Sequence, residues 1–280
     1  MNKKSLLGTP YILWTLLFTV IPLIIIFVFS ISSSNQIGKI SFNFTIDKYK
    51  QFFEPIYIDV FFRSVKLSLY STIVCLIVGY PVAYIIANKG LRIRNFLIIF
   101  ILLPQWTNFL LRTYAWMSIL KDNGPINSFL LRTGIINEPL TLLYTDGAVL
   151  MGMVYNFLPY MILPIYTVIL KIDKNYIEAA RDLGANTVTT FRKIIFPLSM
   201  PGVVSGVIMV FMPAISTFVI SDLLGGGHSM LMGNLIQNQF LAARNWQFGS
   251  AISMILILII LISMLLLNKY SGDDTGGALW

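Results

Sequence analysis

Six long apolar runs, separated by polar segments, organise this chain. They occupy about residues 7–31, 65–88, 96–120, 148–170, 200–221 and 248–267. A bilayer core about 30 Å thick takes about 20 apolar residues per helix, so each run predicts one transmembrane α-helix. Pro22, Pro81, Pro104, Pro159, Pro164 and Pro213 lie inside the runs. A proline removes one backbone hydrogen bond and bends its helix. Lipid tolerates this only where protein or a water-filled cavity solvates the freed carbonyl. The pattern predicts bent helices around a path, with Pro104 and Pro159, flanked by polar aromatic residues, best placed on it.

Composition agrees with lipid as the main solvent. The 280 residues are 56% hydrophobic and 11% charged, whereas a soluble domain carries about 25% charged residues. The net charge of +8 is spread over short loops, with no basic soluble face for nucleic acid. Lys3 and Lys4, then Lys89, Arg92 and Arg94, then Lys171, Lys174, Arg181, Arg192 and Lys193, and finally Lys269 alternate with the runs so as to fall on one side. The opposite loops, about 32–64, 121–147 and 222–247, are longer and carry the acids Asp47, Glu54, Asp59 and Glu138. Short basic loops stay in the cytoplasm. The expectation is therefore an all-α membrane protein with six transmembrane helices, cytoplasmic N- and C-termini and one membrane domain over residues 1–280. The Lys3-Lys4 start resembles a signal peptide, but its apolar run is too long and has no small-x-small cleavage site; it is read as a retained anchor. The tail 271–280 is polar and expected to be poorly ordered.

The catalytic inventory is thin. One cysteine, Cys75, and one histidine, His228, exclude a disulfide within the chain and a Cys-rich or multi-histidine metal centre. No Gly-x-x-x-x-Gly-Lys-Ser/Thr phosphate loop occurs. The run Gly225-Gly226-Gly227 is expected to be a flexible turn. Ser229 beside His228 lacks an oxyanion element, and a pair of intramembrane aspartates is missing, since only Asp222 and Asp146 lie near span ends.

One polar island, residues 171–199, interrupts the apolar pattern. Asp173 is placed to cap a helix running through Glu178, Ala179, Ala180, Arg181 and Asp182. Gly184 permits a sharp turn. Asn186 or Thr187 starts a second helix leading to Arg192, Lys193 and Pro197. Two short helices at an angle form a protrusion shaped to enter a groove on another protein. A lone Glu-Ala-Ala triplet would be an ordinary solvated connector. Here it is followed by Gly184, Ile194 and Pro197, after the fourth of six runs, and this spacing resembles the EAA loop of ABC-importer permeases. The sequence departs from that pattern once, with Phe196 where the family has Leu. The resemblance implies that Glu178, Ala179, Ala180, Asp182, Gly184 and Pro197 couple the chain to an ATPase subunit.

A second constellation lies at membrane depth, where polar groups are functional candidates. Asn108, Arg112 and Trp116 are spaced by four and so are expected to share one helix face, with Trp106 and Tyr114 beside them. Tyr155, Asn156 and Tyr160 surround Pro159, and Asp222 closes the fifth run. Ring faces attract ammonium groups by about 0.5–2 kcal/mol, so an acid with aromatic faces suits an organic cation. The same aromatics also fit an interfacial belt, and Arg112 is free to snorkel or to pair with Asp222.

The blocks Leu103-Pro104-Gln105-Trp106-Thr107-Asn108, Arg112-Thr113-Tyr114-Ala115-Trp116, Leu158-Pro159-Tyr160, Glu178–Gly184, Ser221-Asp222-Leu223-Leu224-Gly225-Gly226, Gly233-Asn234 and Gln239-Phe240 follow in order. Over most of residues 10–268 the chain resembles the B-type permeases of spermidine/putrescine ABC transporters. That resemblance implies a type I importer (MetI-like) fold in a bacterial inner membrane. It further implies a homologous C-type permease partner, two copies of an ABC ATPase and an extracytoplasmic polyamine-binding protein. ATP and Mg would be bound by the ATPase, leaving no cofactor in this chain. Three other readings stay open: a permease for phosphate, sulfate, thiamine or iron, an ion-coupled transporter, and, least favoured, a membrane enzyme.

Overall fold

A computed structural model describes residues 10–33 and 43–268 of the protein. Lys3, Lys4, the start of the first run, Lys269 and the tail 271–280 lie outside the described residues.

The first run forms α1, Pro10–Ser30, with a π-helical turn over Leu16–Val20 just before Pro22. None of its most apolar window is buried within the chain. It packs along the last helix, where Phe29 meets Trp246 edge to face at 6.0 Å. A two-residue antiparallel ladder follows, β1 Ser32–Ser33 on β2 Asn43–Phe44. After it comes the short α2, Asp47–Phe52.

The second run is longer than its apolar stretch. Helix α3 spans Pro55–Ala87, about 50 Å at 1.5 Å per residue, and begins ten residues before the expected start. Glu54 is extended and Pro55 opens the helix, a position where proline lacks nothing that the first turn needs. The added turns carry two charged residues, Asp59 and Arg63, and Arg63 Nη1 donates to the His228 carbonyl at 2.6 Å.

The third run is not the straight span expected over 96–120. Helix α4, Leu91–Leu102, passes into a 3₁₀ turn at Leu103–Trp106, and α5, Phe109–Leu120, leaves at 91° to it. The cause is local. Pro104 cannot donate a hydrogen bond, Thr107 is extended, and the Asn108 side chain caps a new helix by accepting from the Leu110 amide at 2.8 Å. Among the described residues, five helices are long and apolar enough to cross a membrane, or six if the bent pair counts as one.

Helix α6, Pro125–Arg132, leads to α7, Asp146–Lys171, which runs unbroken through Pro159 and Pro164. The island supplies α8, Lys174–Asp182. The second island helix is not short. It is the start of α9, continuous over Thr187–Ser216, so the fifth span begins well before residue 200. It also ends early: Thr217 is extended and Asp222 sits on a separate helix, α10, Val219–Gly225. The chain closes with α11, Met232–Leu241, and α12, Trp246–Asn268.

Helices α3, α7 and α9 form the core, and glycines set how closely they approach. A Cβ on Gly79 would lie 3.0 Å from Met161 Cγ, one on Gly206 2.8 Å from Met161 Sδ, and one on Gly202 2.9 Å from the Pro164 carbonyl oxygen. Met161 is fully buried between them. Lipid tails are as apolar as the side chains, so helix association there depends on such contact packing.

Candidate functional site

At one end of the α3–α7–α9 core the chain turns through an elbow. The Asp173 carboxylate caps α8 by accepting from the Asn175 amide at 3.0 Å. At the other end of α8, the Gly184 amide donates to Arg181 O and the Ala185 amide to Ala180 O, both at 2.9 Å. These two bonds make a Schellman motif, which needs a left-handed residue at its centre. Gly184 supplies it, with φ +80°. The Asn186 side chain then caps α9, accepting from the Thr189 amide at 2.8 Å. Glu178, Ala179, Asp182 and Pro197 are exposed, whereas Ala180 is buried. Three apolar side chains also face outward here: Leu183, 89% exposed, Val188 and Tyr176. Sequence reasoning concentrated on the charged residues and passed over these. Their signal was large apolar side chains inside an otherwise polar segment.

Near the middle of α7 the candidates at membrane depth divide into those that meet and those that do not. Trp116 of α5 and Tyr155 of α7 pack edge to face with centroids 5.4 Å apart. Asn156 is buried. Its Nδ2 donates to Gly152 O at 2.8 Å, while its Oδ1 has no partner. Gln105, in the 3₁₀ turn, donates to the Asn156 backbone carbonyl at 3.1 Å and so ties the broken corner to α7. Its amide stands in an apolar run between Pro104 and Trp106, a visible signal that was not used. Trp106 is 80% exposed, and Asn108, Tyr114 and Tyr160 are exposed as well. Asn108 does not share a helix face with Arg112 and Trp116, because it caps α5 from outside.

Arg112 does not pair with Asp222. Its Nε and Nη1 are buried without partners, and the guanidinium lies 5.9 Å from the Phe109 ring centroid. Asp222 instead accepts a short hydrogen bond from Asn234 Nδ2. Asn234 is the hub of the far end. Its Oδ1 also accepts from Ser221 Oγ at 2.5 Å and from the Leu231 amide at 2.9 Å, and its Nδ2 also donates to Phe218 O at 3.0 Å. This network fixes α10 against α11. The glycine run beside it makes the expected turn, but Gly225 and Gly226 are closely packed and only Gly227 is open. A Cβ on Gly225 would meet Ser229 Cβ at 2.8 Å, and one on Gly226, φ +56°, would meet the Tyr144 ring at 2.2 Å. Ser229 is buried, and its hydroxyl donates to the Asp146 carboxylate.

Long apolar helices around a packed three-helix core, one span broken beside buried amide groups and a capped polar elbow define a helical membrane transport component. The chain belongs to the family of binding-protein-dependent transport system inner membrane components, which it matches over residues 79–271. Among curated relatives, it is 39% identical over 267 residues to the spermidine/putrescine transport system permease protein PotB of Salmonella typhimurium, covering 93% of each chain. It is 40% identical over 260 residues to the PotB of Haemophilus influenzae, covering 93% of this chain and 90% of that one. Among solved structures, a chain of a bacterial ABC transporter involved in import of the acidic polysaccharide alginate superposes with TM-score 0.79 at 16% identity, over 97% of this chain and 95% of that one. That likeness establishes the fold.

Proposed function

We propose that this chain is the membrane permease of an ATP-driven importer of spermidine and putrescine. The observation that carries the reading is 39% identity to a spermidine/putrescine permease across 93% of both chains. In this reading the termini and the elbow are cytoplasmic, as the Lys and Arg distribution favours. The partners are a homologous C-type permease, two copies of an ABC ATPase that binds ATP and Mg, and an extracytoplasmic polyamine-binding protein.

The elbow is the coupling element. Leu183, Val188 and Tyr176 offer an apolar surface to the ATPase, with Glu178, Arg181 and Asp182 around it, and the Schellman turn holds the surface in one shape. Binding of ATP moves the elbow and opens the path outward, and hydrolysis returns it. The elbow transmits motion only to the extent that the ATPase binds the two transporter states with different affinity.

The route passes the broken corner, and Trp106, Asn108, Arg112, Tyr114, Trp116, Tyr155, Asn156, Tyr160 and Asp222 are its candidate residues. Two features near the corner suit an ammonium group: the edge-to-face pair of Trp116 and Tyr155 and the unpartnered Asn156 Oδ1. Neutral acceptors hold a cation weakly, which favours release.

The test is the assembled complex in vesicles. Spermidine or putrescine, delivered by the binding protein, is expected to stimulate ATP hydrolysis and to be taken up. Stimulation by sulfate, phosphate or thiamine instead would overturn the substrate. Uptake without any ATPase would overturn the energy source. Trp116→Ala and Asp222→Asn are expected to reduce uptake severalfold while the complex still co-purifies; normal transport removes both from the route.

A further inference from the structure

Between the elbow and the core, α9 contains a π-helical turn over Phe191–Ile195, closed by the Phe196 amide donating to the Phe191 carbonyl. Pro197 follows immediately. Proline cannot donate to the carbonyl four residues back, that of Lys193, and its ring crowds that oxygen. The ladder slips by one residue to avoid this conflict. The same arrangement recurs in α1, where the π turn Leu16–Val20 is closed by the Ile21 amide and followed by Pro22.

The slip has a consequence for side chains. In a regular α-helix, residues five apart point about 140° away from one another. Through the π turn Phe191 and Phe196 come together, with centroids 6.4 Å apart. Both reach Tyr80 on α3, each at 5.7 Å, and Phe191 also meets Tyr84 at 5.6 Å. A buried polar tie completes the group. Ser199 Oγ donates to Phe196 O at 2.9 Å, so the Tyr80 hydroxyl, 2.7 Å away, is the donor to Ser199 Oγ. Phe196, the one departure from the EAA pattern, is therefore a member of this cluster.

We propose that Tyr80, Phe191 and Phe196 form an aromatic clasp, set in register by the Pro197-induced π turn, through which displacement of the elbow is transferred to α3. Tyr80 is its positioning residue. The proposal rests on the coupling role of the elbow. It gives Pro197 a backbone role inside α9 in place of contact with the ATPase. π turns commonly mark functional positions in helices. Here the turn joins the elbow's second helix to a span without a flexible hinge.

The test uses the complete transporter in vesicles, reading polyamine uptake per ATP hydrolysed together with retention of the ATPase on purification. Phe191→Ala and Pro197→Ala are expected to keep the ATPase bound and hydrolysing. They should lower uptake per ATP by about tenfold or more, the scale for loss of the three ring contacts that Phe191 makes to Tyr80, Tyr84 and Phe196. Phe191→Tyr, which keeps the ring, should restore it. Tyr80→Phe should give a smaller loss, since only the hydroxyl tie disappears. Unchanged uptake per ATP in Phe191→Ala overturns the clasp. Should that variant fail to assemble, Phe191→Leu decides in its place by the same ratio. Leu183→Asp separates the underlying reading: it should release the ATPase. Release by Leu183→Asp with normal coupling in Phe191→Ala sinks only the clasp, and a retained ATPase in Leu183→Asp sinks the coupling role itself.

Discussion

Gly184→Ala isolates the conformational demand of the elbow. Nothing lies within 4 Å of a Cβ built on Gly184, so the substitution meets no steric obstacle within the chain. What remains is backbone strain. At φ +80°, an L side chain in the left-handed region costs about 1–2 kcal/mol. The two bonds that the turn supports, from Gly184 to Arg181 O and from Ala185 to Ala180 O, contribute about 0.5–1.5 kcal/mol each. Strain and bonding are thus of the same size, and the turn should open in a large fraction of molecules. A shift of 1–2 kcal/mol changes the population about 5–30-fold. Gly184→Asn should recover much of the loss, because Asn enters the left-handed region more readily. Hydrogen exchange at the amides of positions 184 and 185 reads the opening directly. Protection should fall about tenfold in Gly184→Ala, taken as 1.4 kcal/mol, and less in Gly184→Asn, with uptake following the same order. Equal protection in all three proteins would refute the assignment of the glycine to backbone geometry. Loss of uptake with protection intact would point to clearance against the ATPase.

Two further outcomes follow from the far end of the bundle. Asn234→Ala removes a partner from four groups; the Phe218 carbonyl keeps the Asp222 amide, but the Leu231 amide loses its acceptor, and leaving a buried polar group unpaired costs about 1–3 kcal/mol; thermal unfolding in detergent should occur several degrees lower, and an unchanged midpoint would refute the hub role. Gly226→Ala should destabilise more than Gly227→Ala, because both have positive φ but only the first meets the Tyr144 ring, and Tyr144→Ala should relieve part of that difference; equal effects would show that the ring simply moves aside.

Legibility in the sequence followed the range of the forces involved. The apolar runs were readable because bilayer thickness sets a length that needs no knowledge of neighbours. The Asp173 cap and the Gly184 turn were readable because capping acts within a few residues. The ends of α3 and α9 were misplaced, since a helix stops where its backbone loses partners, and these two extend beyond the apolar stretch. The broken third span carried its signals, Pro104 and a capping Asn108, yet these were read as a kink and as a polar face within one span.

By itself the sequence determined that lipid would solvate this chain, that long apolar helices would meet it, and that a capped polar elbow would stand between two of them. Tertiary structure alone decided the direction taken by the broken span, fixed where Gln105 reaches the Asn156 carbonyl. It also decided that Asp222 binds Asn234, leaving Arg112 unpaired, and that Phe191 and Phe196 meet on Tyr80. The physical reason is common to all three. A polar or aromatic group commits to whichever partner the packed backbone brings within a few ångströms, and that choice is made by helices far apart in the chain.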